Sequence, residues 1–355
     1  MGFNLYIKNK EVEMMKKIRE LDDRGILQNM TVSELKKELT HTINNKQNVS
    51  FVAFTNTIIA DLKKENRYGT ASAYKDALNF LINYSRKKDV SFSEINVAFL
   101  KLLEKRYIAK SNNHYNGMAA YLRAIRALYN RAIAIGYAQE YQYPFRRTTL
   151  DKFKYQIRTE KTKKRAVTKD VIKQIEAFDS ENESLQKYKF YFLFSFYTMG
   201  MNMVDIAYLR RKNIADNVLT YKRAKTGKAY EIHLGEKTWN ILRYFDYDKK
   251  RRNDFLFPII KVPGNGEKVR NQIKNAISNT NKALGKIATS LGLEIKLTTY
   301  VSRHTWATVA DKSGIDRRII SKGLGHSNLQ TTEIYINDIV SNDDLADANK
   351  LITGD

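Results

Sequence analysis

Apolar positions recur every three to four residues through most of the chain, a spacing that predicts helices rather than strands. Helical patterns cover residues 51–62, 71–84, 92–108 and 115–135, the last closed by Gly136, and together predict a four-helix domain. Ahead of them, residues 1–45 read as short polar helical segments, an arm or coupler. There Thr31-Val-Ser-Glu34 forms a capping-box pattern before the apolar Leu35 and Leu39. From residue 168 a second domain begins with a helix to about 178. The aromatic stretch 188–198 follows; it is apolar nearly all round, which predicts buried core rather than a base-stacking platform. Residues 218–223 and 229–234 then read as two strands joined by the turn Ala224-Lys-Thr-Gly-Lys228. Further helical patterns lie at 237–245, 268–291, 305–313 and 316–324. The expected fold class is therefore mainly α with a small β-sheet, an α+β arrangement in the second domain.

Composition narrows the function. Of 355 residues 43% are hydrophobic and 28% charged, enough for sizeable cores, and 3 prolines exclude collagen-like or Pro-rich architectures. The 62 Lys and Arg residues outnumber 38 Asp and Glu, leaving a net charge of +24 and pointing to a polyanionic partner. The absence of cysteine excludes disulfides, thiolate metal sites and a cysteine nucleophile, and agrees with a cytoplasmic protein. No apolar run reaches the roughly 18 residues of a spanning helix and no signal-peptide pattern opens the chain, so no membrane role is expected.

Charge is concentrated between residues 141 and 170, where ten bases face three acids. The apolar period fades there, which predicts an extended basic linker over 141–167. Its cations, among them Arg146, Arg147, Lys161, Lys163, Lys164 and Arg165, suit a strap that crosses nucleic-acid phosphates.

Three segments carry candidate chemistry. Lys225-Thr-Gly-Lys228 lies on the hairpin, Tyr300-Val-Ser-Arg303-His304 opens a helix, and Leu324-Gly-His326-Ser precedes Tyr335. Breaking a phosphodiester without a metal requires a nucleophile, positive charge on the non-bridging oxygens and an acid for the leaving alkoxide. Tyrosine, arginine, histidine and lysine supply those functions. His326 follows Arg303 by 23 residues, and Tyr335 follows His326 by nine.

In type, order and spacing these residues resemble the tyrosine recombinase (phage integrase) family of bacterial mobile elements. The resemblance implies that Tyr335 attacks the scissile phosphate, forming a 3′-phosphotyrosyl bond and freeing a 5′-hydroxyl. The bond energy is conserved in that link, so no ATP, cofactor or metal is called for. Arg303 would hold the phosphate through its planar fork. His326 would donate to a non-bridging oxygen or take the tyrosine proton, and Lys225 would protonate the 5′-oxygen, with Lys228 as the alternative.

Two positions depart from the family pattern. Tyr300 stands where the family has the first histidine of His-x-x-Arg; its hydroxyl can still donate. Asn202 stands where a Gly-x-Arg box supplies a second arginine, and the preceding Met199 does not replace it. Losing such a donor typically costs about 10²- to 10³-fold in rate. Arg210, Arg211 and Arg223 are close enough in sequence to compensate, while Asp205 matches the acid that follows the missing arginine. His304 and Trp306 read as packing residues.

By resemblance, residues 46–140 would be a core-type DNA-binding domain and 168–355 the catalytic domain, the pair clamping double-stranded recombination sites. Assembly as a tetramer on DNA, a Holliday junction intermediate and a DNA-bending accessory protein are further implications. The amphipathic tail 343–352 would dock either on its own domain or on a neighbouring protomer. Two competing readings remain open: a type IB topoisomerase-like enzyme, and a DNA-binding protein whose catalysis is impaired by Asn202.

Overall fold

The computed structural model describes residues 2–23, 25, 27–36, 39, 49–110, 113–160, 166–262, 264, 266–325 and 332. The chain divides into two compact units, Met1–Lys161 and Thr162–Asp355.

The first unit opens with α1 (Gly2–Asp23), one long helix where short segments were expected. The capping box after it is reciprocal: Glu34 N–H donates to Thr31 Oγ1 at 3.3 Å, and Thr31 N–H donates to Glu34 Oε2 at 2.9 Å. The helices α2 (Phe51–Lys64), α3 (Tyr68–Ser85), α4 (Val97–Ile108) and α5 (Tyr115–Ala134) build the unit's core. Helices α2 and α4 start where a polar side chain satisfies an open amide: Ser50 accepts from Ala53 N, and Asn96 accepts from Phe99 N. Phe51, Phe54 and Ile58 on α2, with Leu100 and Leu103 on α4, turn inward at helical spacing. Fully buried, each such side chain contributes about 1.5–3 kcal/mol. Tyr129 is wholly buried and donates its hydroxyl to Phe92 O at 3.0 Å, which keeps the polar end satisfied.

The stretch expected to be an extended linker from residue 141 folds onto this unit instead. Tyr143, Phe145 and Tyr155 are buried in the same core, and Phe145 bridges Tyr155 while Tyr155 N–H donates to Pro144 O at 2.8 Å. Three aromatic side chains within a basic run bury enough surface to outweigh its polar composition. Lys161, Lys163, Lys164 and Arg165 lie outside the described residues.

The second unit begins with α6 (Lys169–Ala177) and the aromatic α7 (Glu183–Tyr197). Helix α7 buries five consecutive residues, Tyr191 to Ser195, as a helix surrounded by neighbours must. Lys189 on α7 is 5% exposed and its ammonium donates to Phe178 O at 2.6 Å, closing the end of α6. After the short α8 (Met203–Tyr208) comes a three-stranded antiparallel sheet, β1 (Ile214–Ala215), β2 (Val218–Lys222) and β3 (Ala229–His233). Its register runs from Val218 opposite His233 to Lys222 opposite Ala229, so the hairpin turn projects from one end. The helices α9 (Glu236–Tyr244), α10 (Gly266–Ser290), α11 (Thr299–Lys312) and α12 (Arg317–Leu324) complete the unit around Phe192, Ile206, Leu219, Phe257 and Leu284. Among the described residues no helix is long and apolar enough to cross a membrane.

Candidate active site

Helix α11 carries Arg303 into the interior. Thr299 N–H at its start donates to Asn281 Oδ1 of α10 at 2.8 Å, which fixes where the helix begins. Ser302 is fully buried and shares a hydrogen bond of 2.7 Å with Ser195 of α7, so the register of α11 against α7 is set one residue before Arg303. Arg303 is only 5% exposed. It donates from Nη1 to Gly200 O at 2.9 Å and from Nη2 to Leu324 O.

The turn between α7 and α8 is shaped around that arginine. Met199 and Gly200 both adopt left-handed backbone, with φ of 56° and 69°. A Cβ at Gly200 would lie 2.8 Å from Arg303 Cα and 2.8 Å from its Cγ, closer than packed carbons come. Glycine here serves both the positive φ and the close pass of the α11 backbone. Asn202, in the slot where an arginine was expected, is half-buried at the start of α8 and makes no side-chain cap. Asp205, one turn on, is 5% exposed and accepts from Ala224 N–H at 2.8 Å, tying α8 to the hairpin turn. Burial pushes its carboxyl up, against the Ala224 amide and the charges of Arg223 and Arg303, which favour the ionised form.

Lys225 and Lys228 are exposed in that turn. Arg223, at its head, is held by its own backbone: its N–H donates to Lys228 O at 2.9 Å, and its carbonyl accepts from Gly227 N–H at 2.8 Å. Its side chain is 11% exposed and donates from Nη1 to Leu324 O at 3.2 Å and to Gly325 O at 3.0 Å. Helix α12 ends at Leu324, whose C=O has no partner within the helix, and Gly325, with φ of 68°, turns the chain there while its N–H donates to Lys322 O and Ser321 O.

Arg210 and Arg211 are engaged elsewhere. The Arg210 guanidinium lies 3.9 Å from the Phe255 ring centroid and donates to Asn253 O; that of Arg211 lies 4.0 Å from the Tyr247 ring centroid. Tyr300 is 39% exposed, with its ring edge-on to His304 at 4.8 Å, and Trp306 packs on the cluster of Ala307, Ile320 and Leu324. His326, Tyr335 and the tail 343–352 lie outside the described residues. The described residues thus bring Arg303, Arg223, Asp205 and the Lys225 turn to the end of α12, directly before His326 in sequence.

Residues 50–157 match the family model of the phage integrase SAM-like domain, and residues 165–341 match that of the phage integrase family. The chain belongs to the phage integrase family of tyrosine recombinases. A tyrosine recombinase of Thermosipho africanus is 25% identical over 278 residues, which span 75% of this chain and 88% of the relative. The tyrosine recombinase XerA of Pyrococcus furiosus is 29% identical over 145 residues, 39% of this chain and 46% of that protein, so the chain spans about half the length of some curated relatives. In fold, the recombinase resembles the Tn1549 transposon integrase solved with transposon right-end DNA. That match has a TM-score of 0.56 at 12% identity and covers 86% of this chain and 100% of the other.

The first unit of this tyrosine recombinase carries a second feature of interest. A groove of about 630 Å³ runs between α4, the start of α5 and the 146–158 segment, and Lys101, Lys105, Lys152, Lys154 and Arg158 line it. Sequence reading did not single out Lys101 and Lys105, whose helical spacing looks like an ordinary solvated face. Of the two arginines expected on phosphates, Arg146 also lines this groove, and both have partners within the unit. Arg146 donates to Thr148 O, Thr149 O and Gln156 Oε1, bracing its loop, and Arg147 pairs with Glu140 over the Tyr143 ring at 4.1 Å. Among the described residues no cluster of three or more His, Asp or Glu side chains is arranged to hold a metal ion.

Proposed function

We propose that this tyrosine recombinase cuts and rejoins double-stranded DNA at specific sites, with Tyr335 as nucleophile. The Tyr335 oxygen attacks the scissile phosphorus, the P–O5′ bond breaks, and the DNA 3′ end stays on the protein as a phosphotyrosine. Lys225 delivers a proton to the departing 5′-oxygen, and His326 takes the proton that Tyr335 loses. Arg303 grips the non-bridging oxygens, and Tyr300 adds a hydroxyl donor in place of the family's histidine. Attack by the 5′-hydroxyl of a partner strand reverses the chemistry with a new neighbour, so strands exchange through a Holliday junction.

The observation that carries this reading is the burial of Arg303. Its guanidinium is 5% exposed and held by the carbonyls of Gly200 and Leu324, a fixed fork of donors at the end of α12, directly before His326 in sequence. The preset orientation suits a charge that grows in the transition state. The protein resembles integrases solved with DNA, and its groove of lysines on the first unit suits phosphate contact.

The working form is a tetramer on two paired sites, assisted by a DNA-bending protein. The protein acts in the cytoplasm, associated with the nucleoid while bound. Residues 1–45 act as a coupling arm, 46–140 as a DNA-binding domain and 168–355 as the catalytic domain. Asn202 favours one competing reading, a DNA-binding protein without cleavage. Strand-transfer assays on fragments spanning the ends of the DNA that flanks the gene separate the two. Recombinant joints formed between paired fragments support the proposal. Specific binding with no joints and no cleavage contradicts it, and relaxation of plasmids lacking any site points to a topoisomerase.

A further inference from the structure

The second arginine that this site lacks at Asn202 has a structural candidate on another element. Arg223 and Arg303 come from residues far apart in sequence, yet both donate to the carbonyl of Leu324. Their guanidiniums are therefore neighbours at one end of α12. Arg210 and Arg211, the other candidates by sequence proximity, stack on Phe255 and Tyr247 instead.

The donors that Arg223 uses and leaves unused define its reach. Nη1 is committed to Leu324 O and Gly325 O, and Nε faces Asp205 Oδ2 at 4.0 Å. Its Nη2 hydrogens have no acceptor among the described residues, so one edge of the planar fork is open to a ligand. Asp205 is one carboxylate beside two guanidiniums, those of Arg223 and Arg303. A positive excess in a site only 11% exposed is suited to an anion.

A second group points the same way. The Tyr230 hydroxyl is buried with no hydrogen-bond partner among the described residues, in a residue 9% exposed. A Cβ at Gly325 would lie 1.6 Å from that hydroxyl and 3.0 Å from Arg223 Nη1. The unpartnered hydroxyl and the guanidinium thus meet over the same glycine. A buried donor left open costs stability unless a ligand satisfies it.

We propose that Arg223 replaces the arginine missing at position 202, its free guanidinium edge contacting a non-bridging oxygen of the scissile phosphate beside Arg303. This rests on the recombinase reading. Because the backbone of Arg223 closes the turn that presents Lys225, phosphate grip and leaving-group protonation are set by one short loop.

The test compares full-length wild type, Arg223→Lys, Arg223→Ala and Tyr335→Phe on nicked duplex fragments from the gene's flanking DNA. The wild-type covalent adduct first maps the scissile phosphate. A second substrate then carries a neutral methylphosphonate there, which lacks the charged oxygen. Arg223→Ala is expected to bind DNA within about threefold of wild type and to form adduct about 10²- to 10³-fold more slowly on the phosphodiester. That deficit is expected to shrink at least tenfold, by rough estimate, on the methylphosphonate, because the guanidinium no longer has a charge to hold. Arg223→Lys keeps the charge without the fork, and a loss of roughly tenfold or more is expected for it. Should Arg223→Ala fail to fold, Arg223→Lys carries the same substrate comparison. Cleavage near the wild-type rate by both variants, or equal deficits on both substrates, overturns the proposal and assigns Arg223 a structural role. A wild type that forms no adduct overturns the recombinase reading itself, a distinguishable result.

Discussion

Arg223 and Arg303 donate to the same backbone oxygen, that of Leu324 at the end of α12. Arg223 follows the end of β2 and Arg303 lies on α11, and both reach the last carbonyl of α12, a helix that Gly325 ends in left-handed backbone. The same glycine leads directly to His326. Small changes in how α12 ends therefore act on both guanidiniums at once.

The close approach of Gly200 to Arg303 gives a first prediction. Gly200→Ala forces its Cβ to within 2.8 Å of the Arg303 backbone and adds positive-φ strain of about 1–2 kcal/mol. Gly292→Ala adds strain of the same kind, at φ of 66°, with nothing within 4 Å. Both variants lose stability in thermal melts, but only Gly200→Ala also loses adduct formation, by about 10²-fold or more. Equal activities in the two variants would show that the position of Arg303 is not set by this glycine.

Much of this architecture was legible in the sequence, for reasons particular elements make plain. The periodicity of α2 to α5 is strong because each helix has one buried face, and the Thr-Gly turn between two β-rich runs marks the hairpin. Residues 141–160 misled because charge density hid three aromatic anchors, Tyr143, Phe145 and Tyr155, spaced too widely to form a period. The link between Arg223 and Leu324 spans 101 positions and runs from a side chain to a backbone atom, so no local pattern encodes it. Tyr230 carries no signal at all in the chain, since only burial shows its hydroxyl to lack a partner among the described residues.

Titration of Glu94 provides a second prediction. Its carboxylate accepts from Lys87, the Ser91 amide and the Ser91 hydroxyl, and these hydrogen bonds hold its pKa down from 4.5 to about 2. A depressed folded-state pKa means that this stabilisation is complete above about pH 4.5 and is lost as the pH falls toward 2. The side chain is 39% exposed, so solvent limits the charge pair to about 0–1 kcal/mol. Melting temperatures of wild type and Glu94→Gln measured against pH are expected to differ above pH 4.5 and to converge near pH 2. Parallel curves would contradict the assignment.

Salt provides a third. If the lysines of the first unit's groove neutralise phosphates, log affinity for DNA falls linearly with log salt. Removing one phosphate-neutralising cation flattens the slope by about one. Lys101→Ala with Lys105→Ala is expected to flatten it by about two while leaving the rate of cleavage at saturating protein unchanged. An unchanged slope, measured by titration from low to moderate salt, would move the DNA path off this groove.

The central claim is that Tyr335 forms a covalent bond with DNA in a site organised by Arg303. The most direct measurement incubates full-length wild type and Tyr335→Phe with nicked fragments from the gene's flanking DNA and separates the products in detergent. A detergent-resistant protein–DNA adduct with wild type, none with Tyr335→Phe, and equal binding of DNA by both is the predicted result. An adduct that persists in Tyr335→Phe would contradict the nucleophile, and binding without adduct in the wild type would contradict cleavage itself.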